Sequence, residues 1–269
     1  MSTLDYVGEY PVSDDKVTFF RENGYVRFDN VLSTEEVEAL RTVLADAMDH
    51  RQGFVRDLAK KGDSDEADKI LQMVNLWEHF DEIKAYSRST RLAGMARKLT
   101  GSPTVRLFHD QALVKKPGPS AASPWHQDQP YWPSKEPGMI SCWMALDNVT
   151  VEKGCMQFIP GSHKWGEFTP MSFTGEGPTV DELLSDEQKA RWHPTAVELK
   201  AGDCTWHHGL TWHYTNPNTT NEIRRALVTI YIPEGINYAA EEKMEHVLTP
   251  TITSRKGEPL RGTAFPVLG

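Results

Sequence analysis

The sequence predicts a mainly β protein, built as a sandwich or barrel, with flanking helices in the first third of the chain. Beyond Gly101, short β-rich runs alternate with turn signals such as Pro117-Gly118 and Pro160-Gly161, a pattern typical of all-β folds. Before Gly101, apolar residues recur at the spacing of helices. The chain has 269 residues, and we expect a single domain over residues 1–269, with a helical part over about 1–100 and a barrel over about 101–269.

Three short elements are predicted near the N-terminus. Asp14–Asn23 is an amphipathic stretch that ends at Gly24, which indicates a short helix. Tyr25–Phe28 is predicted as a short strand. Ser33 and Glu36 have the spacing of a capping box, and the apolar residues after them recur at helical spacing, so another helix should begin there.

A further helical region is predicted from about Ser64 to Leu99, with a break near Asn75. The candidate strands that follow are Val105–Lys115, Ser123–Asp128, Ile140–Leu146, Cys155–Ile159, Ala196–Leu199, Asp203–His207 and Ala226–Ile232. The stretch 164–191 is polar, rich in Gly and Pro at first and then helical in pattern, and it lies between two candidate strands. We therefore interpret it as a lid-like insertion.

The composition argues against several classes of protein. The net charge is -9 and no basic run exceeds two residues, so binding to nucleic acid or to an anionic membrane is not expected. No apolar stretch approaches the roughly 18 residues of a membrane span, and the N-terminus does not resemble a secretory signal. Cys142, Cys155 and Cys204 are an odd number without zinc-like spacing, which fits reduced thiols in a cytoplasmic protein. The sequence makes no prediction of the oligomeric state.

Two His-x-Asp pairs are candidates for metal ligands. Ten histidines and 38 acidic residues among 269 would give about one or two such pairs by chance, so the spacing alone carries little weight. His79 and Asp81 lie in a stretch without Gly or Pro from Glu78 to Arg88, which predicts a helix. Residues two apart on a helix point to nearly opposite sides, so we interpret this pair as part of a solvated face.

His126 and Asp128 have a different setting. Pro124 and Pro130 bracket the pair and favour extended backbone over helix. Residues two apart on a strand share one face, so both side chains can reach one cation. We therefore take this pair as the candidate metal site.

A third ligand is expected from the segment Trp206–His213, in which the candidates are His207, His208 and His213. Two histidines and one carboxylate with open positions suit iron(II), whereas zinc held by the same ligand types is an alternative. Buried, hydrogen-bonded histidines without a metal are the remaining interpretation. The residues by themselves leave these three interpretations open.

The chain contains, in order, the segments Phe19–Tyr25, Val31–Ser33, Trp125–Asp128, Gly154–His163, Gly202-Asp203, His213, Asn218 and Arg224–Leu227. Together they resemble the phytanoyl-CoA dioxygenase family of iron(II)- and 2-oxoglutarate-dependent oxygenases. Each segment alone is weak evidence for the family, but the order and spacing of all the segments make the resemblance specific. It covers most of the chain.

The resemblance implies a double-stranded β-helix, which is a jelly-roll or cupin-like barrel, with a metal site formed by His126, Asp128 and His213. It selects His213 because a hydroxyl residue, Thr215, follows two positions later and Arg224 follows eleven positions later. The family more often has Ser where this chain has Thr215. The implied cofactor is Fe(II), with 2-oxoglutarate and O2 as cosubstrates.

The resemblance also assigns residues to 2-oxoglutarate. Arg224 and Thr215 would bind its far carboxylate, since a planar guanidinium can hold a carboxylate through two hydrogen bonds. Trp143, Gln111 and Gln72 match positions that flank the cosubstrate.

Two other basic residues receive no role in the site. Arg225 follows Arg224 directly on a strand and should point to the opposite face. Lys115 is interpreted as the end of a strand beside Pro117-Gly118.

The implied reaction is hydroxylation of an unactivated C–H bond of a small-molecule substrate, with release of succinate and CO2. Asp128 favours oxygenation over halogenation, because related halogenases lack this carboxylate. The alternatives are a zinc or manganese hydrolase or isomerase on a similar barrel, and a non-catalytic barrel that binds a small molecule. A hydrolase has no need of a dicarboxylate clamp, so Arg224 and Thr215 argue for the oxygenase. The identity of the substrate is not predicted.

Overall fold

Two antiparallel sheets form the centre of the computed structural model, which describes residues 4, 6–49, 70–118, 120–171, 177–243 and 245–268. The strands are β1 (Tyr25–Phe28), β2 (Ile70–Val74), β3 (Val105–Lys115), β4 (Ser123–His126), β5 (Ile140–Ala145), β6 (Met156–Phe158), β7 (Thr195–Val197), β8 (Cys204–His208), β9 (His213–Thr215), β10 (Arg224–Pro233) and β11 (Val267–Leu268). The larger sheet has the order β1-β8-β5-β10-β3-β11, with β2 also paired to β3. The smaller sheet has the order β4-β9-β6-β7. The mainly β prediction is confirmed.

The larger sheet is covered by apolar side chains on both faces. The α-helices are α1 (Asp14–Asn23), α2 (Thr34–Asp49), α3 (Asp81–Ser87), α4 (Thr90–Thr100), α5 (Val180–Leu183) and α6 (Asp186–Ala190). One core joins Leu40 of α2 and Leu92 of α4 to Leu227 of β10. The other core lies between the two sheets and contains Phe158 of β6 and Val228 of β10. Because successive strand residues alternate in direction, β10 contributes to both cores.

The N-terminal predictions are confirmed. Helix α1 ends where predicted, and Gly24 has a φ of 78° with its N–H donating to the Phe20 carbonyl, as in a left-handed C-cap. A Cβ on Gly24 would lie 2.4 Å from His163 Nδ1, so the position also needs glycine for space. The Glu36 N–H donates to Ser33 Oγ and the Ser33 N–H donates to the Glu36 carboxylate, which completes the capping box.

The helical prediction for Ser64–Leu99 is wrong in its first part. Residues 64–69 lie outside the described residues, and Ile70–Val74 form the strand β2, which pairs with the end of β3. The hydrogen bonds to β3 come from a distant part of the chain, so local periodicity did not reveal them. The break at Asn75 is confirmed, because this residue has a φ of 59°. Helices α3 and α4 then follow as predicted.

His79 and Asp81 do not lie on one helix, contrary to the prediction. His79 ends a short 3₁₀ turn, Phe80 is extended, and α3 begins only at Asp81. Among the described residues, this pair does not belong to any cluster with the geometry of a metal site.

Most strand predictions are confirmed in position, with small shifts at the ends. Strand β3 has its predicted bounds, and β10 begins two residues early, at Arg224. Strands β9 and β11 were not predicted, because three-residue and two-residue strands carry too little alternation to detect. The insertion 164–191 lies between β6 and β7 and contains α5 and α6, with residues 172–176 outside the described part. Its action as a lid stays a prediction.

The cysteines are free and buried, in agreement with the expectation of reduced thiols. Among the described helices, none combines the length and the apolar character that a membrane crossing requires.

Candidate active site

His126 and His213 meet because β4 and β9 are paired. The two residues are direct cross-strand partners, and such partners point to the same face. Their imidazole centroids lie 4.1 Å apart. The pairing therefore brings together two histidines that are far apart in the sequence.

Asp128 joins the two histidines from outside the strand. The prediction that a strand continues to Asp128 is wrong, since β4 ends at His126 and Asp128 has helical backbone angles at the start of a 3₁₀ turn. Its Oδ1 nevertheless lies 3.7 Å from His126 Nε2 and 3.6 Å from His213 Nε2. One ligand atom from each of the three residues lies within 4.8 Å of the others.

Backbone carbonyls set the tautomers of both histidines. His126 Nδ1 lies 2.7 Å from the Pro124 carbonyl and His213 Nδ1 lies 2.9 Å from the Thr211 carbonyl. A carbonyl can only accept, so Nδ1 carries the proton in each ring and the Nε2 lone pair faces the carboxylate. This is the orientation that metal-binding histidines usually have.

The second carboxylate oxygen of Asp128 is held by two donors. Ser141 Oγ lies 3.0 Å and His207 Nε2 lies 3.1 Å from Oδ2. Ser141 and His207 are cross-strand partners on β5 and β8, so the larger sheet presents both donors together. Oδ1 is therefore free of these two donors and faces His126 and His213. His207 is thus a hydrogen-bond partner that orients Asp128.

The charge states suit a cation. Burial alone would raise the pKa of Asp128, but His213, His207 and His126 outweigh it and hold the pKa well below its ordinary value. Burial lowers the pKa of both His126 and His213. Two neutral imidazoles and one ionised carboxylate are the forms that bind a metal. This donor set of two histidines and one carboxylate fits iron(II).

Arg224, Lys115 and Thr215 lie next to one another and are called the clamp below. Arg224 is buried, its Nη1 donates to the Leu113 carbonyl over 3.1 Å, and its guanidinium carbon lies 5.4 Å from the centre of the Trp143 ring. Burial lowers its pKa to about 10. Lys115 is the cross-strand partner of Arg224 and donates from Nζ to Thr215 Oγ1 over 2.8 Å. The predicted pair of Arg224 and Thr215 is therefore brought together.

Lys115 is the residue of this clamp that the sequence analysis missed. It ends β3 as predicted, but its side chain is fully buried beside Thr215. Within the described part of the chain, neither Lys115 nor Arg224 forms an ion pair, so the buried guanidinium of Arg224 lacks an anionic partner and Lys115 is a second buried basic group beside it. The signal in the sequence was the position of Lys115, in register with Gln111 and Leu113 on alternate residues of one strand.

Arg225 points away from the clamp, as predicted. Its Nε and Nη2 donate to Asp147 over 3.0 and 2.7 Å. The sequence analysis also missed Ser141. The signal in the sequence was that Ser141 is the one polar residue in the otherwise apolar candidate strand Ile140–Leu146, which the structure shows to be buried.

Gln111 and Trp143 lie on either side of Val228, as its partners on β3 and β5. They therefore face the space between the sheets at one level. Gln72 reaches the same place from β2 and donates a hydrogen bond to the Gln111 side chain. The structure thus brings all five residues matched to the cosubstrate to one region. Their contact with 2-oxoglutarate stays a prediction.

The side chain of Gln127, which lies between His126 and Asp128 in the sequence, forms hydrogen bonds with the insertion. Its Nε2 donates to the Gly166 and Leu210 carbonyls over 2.9 and 2.7 Å, and its Oε1 accepts from the Phe168 N–H over 2.9 Å. Gln127 therefore links the start of the insertion both to the residue pair that follows β4 and to the segment that precedes His213.

Comparison with known proteins places the chain in a family. The family model for phytanoyl-CoA dioxygenase (PhyH) matches residues 20–226. Dioxygenase lolE1 from Epichloe uncinata is 30% identical over 82% of this chain and 82% of its own length. L-proline trans-4-hydroxylase from Streptomyces griseoviridis is 25% identical over 93% of this chain and 95% of its own length.

Solved structures of iron- and 2-oxoglutarate-dependent enzymes have the same fold as this chain. The non-heme alpha ketoglutarate dependent carbocyclase SnoK from nogalamycin biosynthesis has a TM-score of 0.81 at 26% identity, over 97% of this chain and all of that one. The epimerase SnoN, solved with Fe3+, alpha ketoglutarate and nogalamycin RO, has a TM-score of 0.75 at 26% identity, over 95% of this chain and 98% of that one.

The chain belongs to the phytanoyl-CoA dioxygenase family. Its fold is the double-stranded β-helix, as the resemblance implied. It is an Fe(II)- and 2-oxoglutarate-dependent oxygenase, and its cofactor and cosubstrates are Fe(II), 2-oxoglutarate and O2. The hydrolase and the non-catalytic barrel are therefore not favoured.

Proposed function

We propose that the protein hydroxylates an unactivated C–H bond of a small-molecule substrate, with His126, Asp128 and His213 as the ligands of Fe(II). 2-Oxoglutarate and O2 are consumed, one oxygen atom enters the substrate, and succinate and CO2 are released. The observation that carries the proposal is the convergence of three ligand atoms, within 4.8 Å of one another, one of them from the strand β9, whose Thr215 accepts a hydrogen bond from the buried Lys115 beside Arg224.

Different side chains would bind different parts of 2-oxoglutarate and of the substrate. Arg224, Lys115 and Thr215 bind the far carboxylate of 2-oxoglutarate, because charge-assisted hydrogen bonds are strong in a buried site. Trp143 covers the guanidinium of Arg224 and limits its freedom. The bound iron supplies the oxidation of the C–H bond, and the residues around it orient the substrate and exclude water.

A second candidate is a different oxidative outcome at the same site. The similarity to the carbocyclase SnoK, with a TM-score of 0.81, favours it. Ring closure would remove two hydrogen atoms from the substrate and add no oxygen. The two candidates share the site and differ in the product.

The test is a screen of candidate small molecules for compounds that trigger succinate release by the iron-loaded protein. The product of each positive compound is then made under isotopically labelled O2 and analysed by mass spectrometry. We expect a product that carries one labelled oxygen atom, and no product from the Asp128→Ala variant. A product that has lost two hydrogen atoms would support ring closure or desaturation instead, and an epimer of unchanged mass would contradict hydroxylation.

We further expect 2-oxoglutarate binding to take up a proton at neutral pH through Lys115. Burial, together with the nearby Arg224, lowers the pKa of Lys115 to about 6, so its amine is mostly neutral at pH 7 in the free protein. A bound carboxylate favours the charged amine and raises that pKa. Above about pH 6 the affinity should therefore fall with rising pH, by at most about tenfold per pH unit. Below that pH the amine is already charged and the affinity should level off.

Titration calorimetry in two buffers of different ionisation enthalpy measures this proton uptake. The Lys115→Met variant should bind 2-oxoglutarate more weakly and should lose most of the uptake. An unchanged proton uptake in that variant would assign the effect to another group.

A further inference from the structure

His109 faces the candidate active site from the opposite sheet. His109, Ile230, Ser141 and His207 are successive cross-strand partners on β3, β10, β5 and β8. Cross-strand partners point to the same face, so all four side chains form one row on the inner face of the larger sheet. Ser141 and His207 in this row bind Asp128, so His109 lies at the level of the candidate metal site.

The ring of His109 has a defined tautomer. Its Nδ1 lies 3.2 Å from the carbonyl of Asp110, which can only accept, so Nδ1 carries the proton. Burial lowers the pKa of His109 to about 4, which keeps the ring neutral. Nε2 is therefore a hydrogen-bond acceptor. Within the part of the chain that the structure describes, the hydrogen bond found for this ring uses Nδ1.

Flat rings form the wall around His109. The His246 ring stacks on it, with centroids 5.4 Å apart and an angle of 29° between the planes. Phe108 lies 4.9 Å from His246 and 6.4 Å from Trp132, measured between ring centroids. Phe108 also lies 4.9 Å from His109 itself. Tyr131, the chain neighbour of Trp132, lies beside the metal site, with its ring centroid 6.4 Å from that of His126. Such a wall favours a ligand that contains a ring.

We propose that His109 determines substrate specificity by accepting a hydrogen bond from a hydroxyl group on a ring-containing substrate. The inference rests on the proposed function, because it places the substrate beside the iron. An acceptor nitrogen does not suit 2-oxoglutarate, whose oxygens are all acceptors at neutral pH. A site that hydrogen-bonds a hydroxyl group discriminates strongly against an analogue that lacks it.

The experiment uses phenol and 2-naphthol as probes, each compared with its methyl ether, anisole and 2-methoxynaphthalene. Titration calorimetry measures the affinity of each probe for the full chain loaded with Fe(II) and 2-oxoglutarate without O2. The variants are His109→Phe, which keeps a flat ring and removes the acceptor, and His109→Gln, which restores an acceptor. His193→Phe, at an exposed position just after the insertion, is the matched control.

We expect the wild-type protein to prefer at least one hydroxyl probe over its ether by about tenfold. The preference should disappear in His109→Phe, return in part in His109→Gln and stay unchanged in His193→Phe. The inference is overturned if the preference survives in His109→Phe, since it would then reflect the size of the methyl group. It is also overturned if the wild-type protein shows no preference or binds none of the probes.

The visible absorption of the Fe(II)–2-oxoglutarate complex separates this inference from the proposed function. If wild-type protein forms the absorption band and His109→Phe forms it equally, the cosubstrate site is intact in both. A missing probe preference then contradicts the substrate class alone. If wild-type protein forms no band, the proposed function itself is wrong.

Discussion

Replacement of Asp128 or of His213 by alanine is expected to abolish the weak visible charge-transfer band that Fe(II) and 2-oxoglutarate form in the protein without O2. Asp128 is the anionic member of the site, and its Oδ1 lies within 3.7 Å of both imidazole Nε2 atoms. Its loss would remove a ligand and leave Ser141 and His207 without their shared acceptor. The loss of His213 would remove the imidazole ligand that β9 contributes to the metal site.

Anaerobic titration with both components, followed by absorption spectroscopy, measures the effect. His193→Ala is the control, because this histidine is exposed between the insertion and β7. Circular dichroism and thermal unfolding establish that each variant is folded. A band of full intensity in both Asp128→Ala and His213→Ala would rule out the ligand assignment.

Replacement of Arg224 by alanine should weaken 2-oxoglutarate binding by about 1.5–3 kcal/mol, or roughly 10- to 150-fold, the range for a hydrogen bond to a charged group. Arg224 is buried, and its Nε has no hydrogen-bond partner among the described residues. A carboxylate would satisfy this group and balance its charge. Lys115 would remain in the variant, so some affinity should persist.

The neighbouring arginine provides a matched control. Arg225 points to the other face of β10 and binds Asp147. Arg225→Ala should therefore lower the thermal stability and leave the affinity for 2-oxoglutarate unchanged. Equal losses of affinity in the two variants, or unchanged affinity in Arg224→Ala, would refute the clamp.

The parts of the fold that depend on neighbouring residues were predicted well. The capping box at Ser33 and Glu36 and the glycine C-cap at Gly24 use hydrogen bonds within one turn of a helix, and both are present. Strand β3 was predicted with its bounds because eleven residues carry a long β-rich run. In such elements the sequence contains both partners of the interaction within a few residues.

Strand β2 shows why other parts could not be predicted. The sequence pattern of its residues predicts a helix, and they form a strand because they pair with β3. The same pairing brings Gln72 beside Gln111, although the element predicted to carry Gln72 was wrong. The contact of Gln72 with 2-oxoglutarate stays a prediction. The partner strand begins some thirty residues later in the sequence, outside the reach of any local pattern.

The candidate metal site divides in the same way. The sequence by itself determined that His126 lies in extended chain after Pro124, and that Arg224 and Arg225 point to opposite faces, since both follow from backbone geometry over a few residues. The turn that carries Asp128 was not predicted. Only the tertiary structure decided that Ser141 and His207 hold Asp128, that Lys115 joins Arg224, and that His109 faces the site. These contacts join strands that are distant in the sequence. The side chains meet because antiparallel pairing sets their register and burial demands a partner for each polar group.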